Sequence, residues 1–283
     1  MSDIIYHYTD IHACQSMIEN KQFWLSAHSF LNDETEYFEG FKAFKKMLDE
    51  KLKGVPPASQ LRAQELISYI EKIMIYSTSF SKESDLLSQW RSYCPKEGGV
   101  AIGFDREALS RSQRIQLGKL NSRYLEDCCY DKTQTKFDAA TLADAIHMHL
   151  CSGDSNDRER FLQHTFFLEL MTFLGRTKNP HFREEQEVRL FSYGDRGLEQ
   201  LVIEATSSMP SIPLVQPEEV SFRPKQNFLV PYLKVDFPIE AIKQINIGPS
   251  NFTKECEESL TMFMKAKGLN IDITKSEIPY RAI

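Results

Sequence analysis

Glu185, Glu187 and Arg189 recur at every second position of residues 182–193, FREEQEVRLFSY. Val188, Leu190 and Ser192 alternate with Glu187, Arg189 and Phe191, a period that predicts a half-buried strand. Alternate strand residues share a face, so both acids and the base would point the same way. Such a row holds a carboxylate charged and aimed at a ligand. It is equally the pattern of a solvated edge strand with a cross-strand ion pair.

His7 and Thr9 alternate in the same manner within YHYT, residues 6–9, opposite Tyr6 and Tyr8. An imidazole and a hydroxyl at a strand end suit the edge of a sugar or an amide; the plain alternative is a surface histidine beside a helix cap. Ser77, Ser79 and Ser81 place three hydroxyls on one face of an otherwise apolar strand. Buried hydroxyls need partners, so these orient a ligand or an acid, or pair with backbone at a strand edge. Asn32, Asp33, Glu34 and Glu36 follow an apolar turn, and their spacing fits a capping box started by Asp33 and completed by Glu36. Read as metal ligands, the acids lack a histidine or further acid beside them. Trp90 and Tyr93 supply either a pocket wall or core. His147 and His149 stand two apart on a helical pattern, diverge, and make poor joint ligands. No G-x-S-x-G, G-x-G-x-x-G or P-loop pattern occurs.

Positioning these residues calls for strands near 3–8, 23–26, 73–80, 100–104, 187–193, 228–235, 242–247 and 270–274, with two more within 115–130. Helices are expected from Thr9 or Asp10 to 20, through 53, over 60–72, from Ser81 or Ser84 to 93, and over 253–267. Residues 133–177 read as a helical insertion broken near 152–156, whose second helix, 161–174, is apolar almost all round and should be buried. Residues 207–224, rich in proline and serine, read as a surface loop. Strands and helices mix without a βα repeat. The expectation is a single α+β domain over 1–283, built on a split, mainly antiparallel sheet.

A chain of 283 residues with 41% hydrophobic and 26% charged residues has ample material for one large core. A net charge of −6 argues against broad non-specific binding to nucleic acid or anionic membrane. Cys14, Cys94, Cys128, Cys129, Cys151 and Cys256 show neither C-x-x-C nor zinc spacing, and are expected to be reduced thiols of a cytoplasmic protein. No apolar run is long enough to cross a bilayer.

Taken in order, YHYT, FWLS (23–26), N-D-x-x-E (32–36), STSFS (77–81), W-x-x-Y (90–93), GGVAIGF (98–104), E-x-E-x-R (185–189) and SEIPYR (276–281) resemble a large uncharacterised bacterial family over nearly the whole chain. That family is similar in layout to ADP-ribosyltransferases, which bind NAD on a split sheet. The resemblance implies that His7, with Thr9, holds the nicotinamide ribose or amide. Ser79, with Ser77 or Ser81, would orient the acid; Glu187 would be the catalytic glutamate and Glu185 the second acid. Tyr8, Trp24, Trp90 or Tyr93 would clamp the ligand, and Arg189 or Arg91 would hold the pyrophosphate. A histidine on the first strand belongs to one branch of that superfamily, whereas STS and E-x-E belong to the other.

Loss of nicotinamide from NAD leaves a cationic sugar, which an ionised carboxylate stabilises best where water is excluded. The activity implied is metal-free transfer of ADP-ribose to a macromolecular acceptor, protein or nucleic acid, or NAD hydrolysis, as a toxin or anti-phage effector. The alternatives are an idle nucleotide-sensing or protein-interaction module, and a metal-dependent hydrolase using Asp33, Glu34 and Glu36. The first reading expects His7, Ser79 and Glu187 to open into one cleft.

Overall fold

The computed structural model describes residues 3–30, 37–115, 124–151, 166–195 and 219–279. Its strands are β1 (Ile4–Thr9), β2 (Gln22–Ala27), β3 (Ile73–Ser81), β4 (Val100–Asp105), β5 (Tyr124–Asp127), β6 (Glu187–Asp195), β7 (Val220–Lys225), β8 (Phe228–Asp236), β9 (Ile242–Ile247) and β10 (Asp272–Lys275). They form one sheet in the order β10-β9-β4-β1-β3-β2-β8-β7, and β6 branches from β3 and carries β5. The β9–β10 pair is parallel and the other strand pairs are antiparallel. The mixed architecture around a mostly antiparallel, open sheet is the α+β class expected.

β3 is where the sheet forks. β6 pairs with β3 along its whole length, from Ile73↔Asp195 to Ser81↔Glu187, and so takes one edge completely. The other edge is shared: β1 meets it at Tyr6↔Ser81, and β2 at Ser26↔Ser77 and Ala27↔Tyr76. Between these contacts no strand among the described residues pairs with this edge, and its polar backbone must find partners elsewhere. His7 supplies one. Its Nδ1 lies 2.9 Å from the Ser79 carbonyl, which can only accept, so Nδ1 carries the proton. His28 does the same service further along, where its Nδ1 is 3.2 Å from both the nitrogen and the carbonyl oxygen of Ile75.

Helices cover both faces. α1 (Ile11–Asn20), α5 (Arg106–Ile115) and α8 (Thr253–Ala266) enclose one core with Ile5, Phe23, Phe80 and Phe104. α2 (Phe38–Lys51), α3 (Pro57–Glu71), α6 (Lys132–Cys151) and α7 (Phe167–Arg176) enclose a second with Ile73, Ile75, Phe191 and Tyr193. α4 (Leu87–Tyr93) caps a small cluster of Tyr8, Trp90 and Ala101. α6 and α7 are the two ends of the expected helical insertion, and both feed the second core. No helix among the described residues is long and apolar enough to cross a membrane, and all six cysteines are free.

Several expectations need correction. β6 is not half-buried: Val188, Arg189, Leu190 and Phe191 are each at most 1% exposed, because β3 and β5 flank the strand and helices cover it. Glu185 is not part of its alternation. It ends a 3-10 turn, Pro180–Glu185, and Gln186 then adopts the left-handed region (φ 44°). α4 starts at Leu87, with Leu86 at the cap position and no side-chain cap, rather than from Ser81 or Ser84; the Ser81 hydroxyl is engaged by Glu83 N and the Glu185 carbonyl. Asp10 does cap α1, accepting from Ala13 N at 2.7 Å. Within 115–130 the described part holds a single strand, β5, and the preceding α5 was not anticipated. The end of the expected 207–224 loop is strand β7, and 207–218 lie outside the described residues.

Burial pushes the His7 imidazole below its ordinary value, although its bond to the Ser79 carbonyl pulls the other way. Folded His7 therefore stays neutral where the unfolded chain takes up a proton. Its contribution is complete above the unfolded value of about 6.5 and is lost as pH falls below that value. Urea unfolding over roughly pH 8 to 5 is expected to show this decline, and His7→Leu to flatten it. The same variant should lower stability near neutrality by about 1–3 kcal/mol, because a buried carbonyl loses its donor.

Candidate functional site

One face of the sheet changes character along its length. On β3 the second core ends with Ile73 and Ile75, and the same face continues as Ser77, Ser79 and Ser81. On β6 it runs from Tyr193 and Phe191 to Arg189 and Glu187, opposite those serines. Ser26 of β2 lies opposite Ser77 and extends the polar stretch across the fork.

Glu187 anchors this stretch and is 3% exposed. Its Oε1 accepts from Ser79 Oγ at 2.5 Å and from Arg189 Nε at 2.6 Å. Its Oε2 accepts from Arg189 Nη2 at 3.2 Å and from Lys178 Nζ. Two oxygens carry about four lone-pair positions, and four donors occupy them. Burial alone would raise this carboxyl, but the charges of Arg189 and Lys178 outweigh it and hold the group down at about 2. Glu187 is therefore ionised throughout the physiological range.

The partners are held as firmly. Lys178, 4% exposed, also contacts Glu185 Oε2 at 2.5 Å. It reaches the site because Thr177 bridges Cys129 in parallel fashion and Lys178 N donates to the Cys129 carbonyl. Arg189 Nη1 donates to the Gly175 carbonyl at 3.1 Å, at the negative end of α7. A Cβ on Gly175 would stand 2.4 Å from the Phe191 ring, so only glycine lets the helix end come this close. The Arg189 guanidinium lies 5.1 Å from the Tyr37 ring, and Tyr37 donates to Ser77 Oγ at 2.9 Å. Glu187 N donates to Tyr130 Oη at 2.9 Å, and burial raises that phenol above its usual range.

The structure thus brings together Ser77, Ser79, Glu185, Glu187 and Arg189. It does not bring His7 to them. His7 packs against Phe80 and Phe23 at 5.7 and 6.4 Å and, since its neighbour Tyr6 lies opposite Ser81, points to the opposite face. The expected convergence of His7, Ser79 and Glu187 on one cleft does not occur, because residue 7 matches the odd face of β1 and residue 79 the other face of β3. Thr9 is buried on the same side as His7. Tyr8 is 4% exposed, lies 4.6 Å from Trp90, and donates to the Glu83 carbonyl. Trp90 is in the core, with Nε1 on Asp85 at 2.7 Å. Ser81 is spent on the turn at Glu83 and Glu185. Tyr93 and Trp24 are solvent-exposed at 46% and 44%, and Arg91 is exposed.

Asn32, Asp33, Glu34 and Glu36 lie outside the described residues. No group of three or more potential metal ligands occurs among the described residues, and His147 meets Cys151 at 3.6 Å rather than His149. Lys178, Tyr130 and Tyr37 were missed from sequence. None sits in an alternating or spaced pattern, and each reaches the site through tertiary pairing.

Residues 89–190 match a family described as a protein of unknown function, DUF2971. The match runs from α4 into β6 and takes in Tyr130, Lys178, Glu185, Glu187 and Arg189, but not β3 with Ser79. No curated protein and no solved structure matches the chain.

Removing one member of a buried, hydrogen-bonded ion cluster leaves its partners charged and uncompensated. Lys178→Met is expected to lower the unfolding free energy by about 3–5 kcal/mol in urea titration. The stabilisation from Glu187 should be complete above the ordinary carboxylate range and be lost as pH falls through it towards about 2.

Proposed function

We propose that the polar face of β2, β3 and β6 binds a nucleotide-like ligand, NAD being the one the family resemblance implies, and that the chain senses this ligand rather than consuming it. The observation carrying this reading is the saturation of Glu187: Ser79, Lys178 and Arg189 fill its acceptor positions. A carboxylate that stabilises a sugar cation needs an oxygen facing the ribose and a charge not already neutralised. Here two acids, Glu185 and Glu187, stand against two cations, Lys178 and Arg189. The acid acts as a positioning group that fixes hydroxyls and a guanidinium at the sheet surface. Ser77, Ser79 and Tyr37 line this face with hydroxyls of the kind that hydrogen-bond a ribose.

A second reading rests on a separate observation. Ser79 Oγ donates to Glu187 at 2.5 Å, the pairing of serine and acid that the resemblance to ADP-ribosyltransferases implies. In that reading Lys178 swings away with the 180–185 turn, Glu187 faces the ribose, and a macromolecular acceptor attacks the sugar carbon as nicotinamide leaves.

The two readings separate in one experiment on the full chain. Calorimetry should show binding of NAD, with NAD recovered intact by chromatography after long incubation. Ser79→Ala removes one hydroxyl without altering charge and should weaken binding by about fivefold. Nicotinamide release by the wild type that Ser79→Ala abolishes would establish the transfer reading instead. Failure of the wild type to bind either NAD or AMP would overturn both.

A further inference from the structure

At the β2 end of the same polar face stands an arginine that the cluster around Glu187 does not use. β7 and β8 form a hairpin closed by Gln226 and Asn227, with Gln226 in the left-handed region (φ 52°). The register Ser26↔Tyr232↔Ser221, with Arg223 opposite Val230, puts Arg223 on the face that carries Ser26 and Trp24. Arg223 Nη2 donates to Ser26 Oγ at 3.0 Å. Its Nε is buried and has no hydrogen-bond partner, and among the described residues no acid forms an ion pair with it. Ser26 is 5% exposed, and its hydroxyl accepts from Arg223 while its own proton has no acceptor among the described residues.

Arg189 and Arg223 differ in what meets the guanidinium. Arg189 presents Nε and Nη2, one edge of its guanidinium, and Glu187 fills both at 2.6 and 3.2 Å. Arg223 presents the same edge with Nη2 on a neutral hydroxyl and Nε on nothing. A buried guanidinium N–H left unmade costs free energy, and the chemistry that satisfies it best is an oxyanion. The Ser26 proton adds a second donor. Lys225 and Lys234 also lie on this face, and at its outer end the Asp236 carboxylate accepts from Gln22 at 2.8 Å.

The same face carries an aromatic platform on the other side of Ser26. Trp24 stacks on Tyr232 with centroids 4.4 Å apart and planes 29° apart. Tyr232 is buried and Trp24 is 44% exposed, so the indole keeps one side open. Trp24 is two residues from Ser26 on the same face of β2, about 7 Å away along the strand. An oxyanion socket and an open indole at that separation match the phosphate and the base of one nucleotide.

We infer that Arg223, Ser26 and Trp24 form a subsite for a nucleoside phosphate, the phosphate on Arg223 and Ser26 and the base on Trp24. This rests on the nucleotide-binding reading above and adds to it where the anionic end of the ligand lies. The subsite is separate from Glu187 and is joined to it by Ser77 and Ser79.

The chain has two tryptophans, and Trp90 is buried and bonded to Asp85, so ligand-dependent quenching reports Trp24. AMP should quench the fluorescence of the full chain saturably, with adenosine alone and inorganic phosphate alone binding more weakly. Trp24→Phe should abolish the quench while calorimetry still detects AMP. Arg223→Gln should weaken AMP binding about tenfold or more. Arg223→Lys keeps the charge but loses the edge, and should weaken it similarly; this second variant guards against misfolding of the first. AMP binding that both arginine variants leave unchanged, or that leaves Trp24 fluorescence untouched, would overturn the subsite while the module reading stands. No AMP or NAD binding by the wild type would remove both.

Discussion

A carboxylate sealed from water on the face of a sheet governs much of this structure. Each ion taken out of water costs several kcal/mol unless opposite charge and hydrogen bonds meet it. Glu187 is met by donors from three separate segments: β3 through Ser79, its own strand through Arg189, and the chain after α7 through Lys178. That requirement explains features that otherwise look unrelated. Gly175 admits the end of α7 so that its carbonyl reaches Arg189. The Cys129–Thr177 bridge fixes the direction from which Lys178 arrives. The left-handed Gln186 lets the 180–185 turn fold Glu185 back onto Lys178.

The fork in β3 is the second constraint. A strand whose second edge is shared by two neighbours leaves backbone groups unpaired along it; His7 meets one at Ser79, between the two neighbours, and His28 meets Ile75 beyond the β2 contacts. The arms that diverge from the fork differ in content. The β1 arm ends in a packed aromatic cluster of Tyr8 and Trp90. The β2 arm keeps Ser26 and Trp24 on the corresponding face, continuous with Ser77 and Ser79. One arm therefore presents hydroxyls and an exposed indole, and the other apolar packing. His7, at the junction, is a backbone partner of the sheet.

Much of the sheet was legible because the alternation of β6 and the runs of strand-favouring residues in strands such as β3 and β4 are local signals. So was the cap at Asp10, and so was the shared face of Glu187 and Arg189. What local reading lacks is register. Whether His7 and Ser79 face the same way depends on Tyr6 lying opposite Ser81, which no spacing within either strand encodes. Lys178 depends on a bridge between segments about fifty residues apart and carries no periodic mark. β7 was hidden by Pro224, which reads as a loop residue. An outermost strand tolerates it, since its missing N–H can fall on the side without a neighbour. Arg223 was lost from the candidate site along with its strand.

The contrast between two arginines bears most directly on function. Both lie on the same face of one sheet and both present the Nε–Nη2 edge of the guanidinium. Around Arg189 the fold has supplied an anion, a carbonyl and an aromatic ring, so its charge is compensated from within the chain. Around Arg223 it has supplied one neutral hydroxyl and, on the Nε side, nothing. A guanidinium whose partners are all internal locks a structure together, whereas one half-satisfied at a buried edge has capacity left for an anion from outside. If binding energy enters this face from a ligand, it is better gained at Arg223, where a donor is unmade, than at Glu187, where every acceptor would first have to be released. On the proposed reading, the acid cluster is the fixed end of the site and Arg223 the end left to meet a ligand.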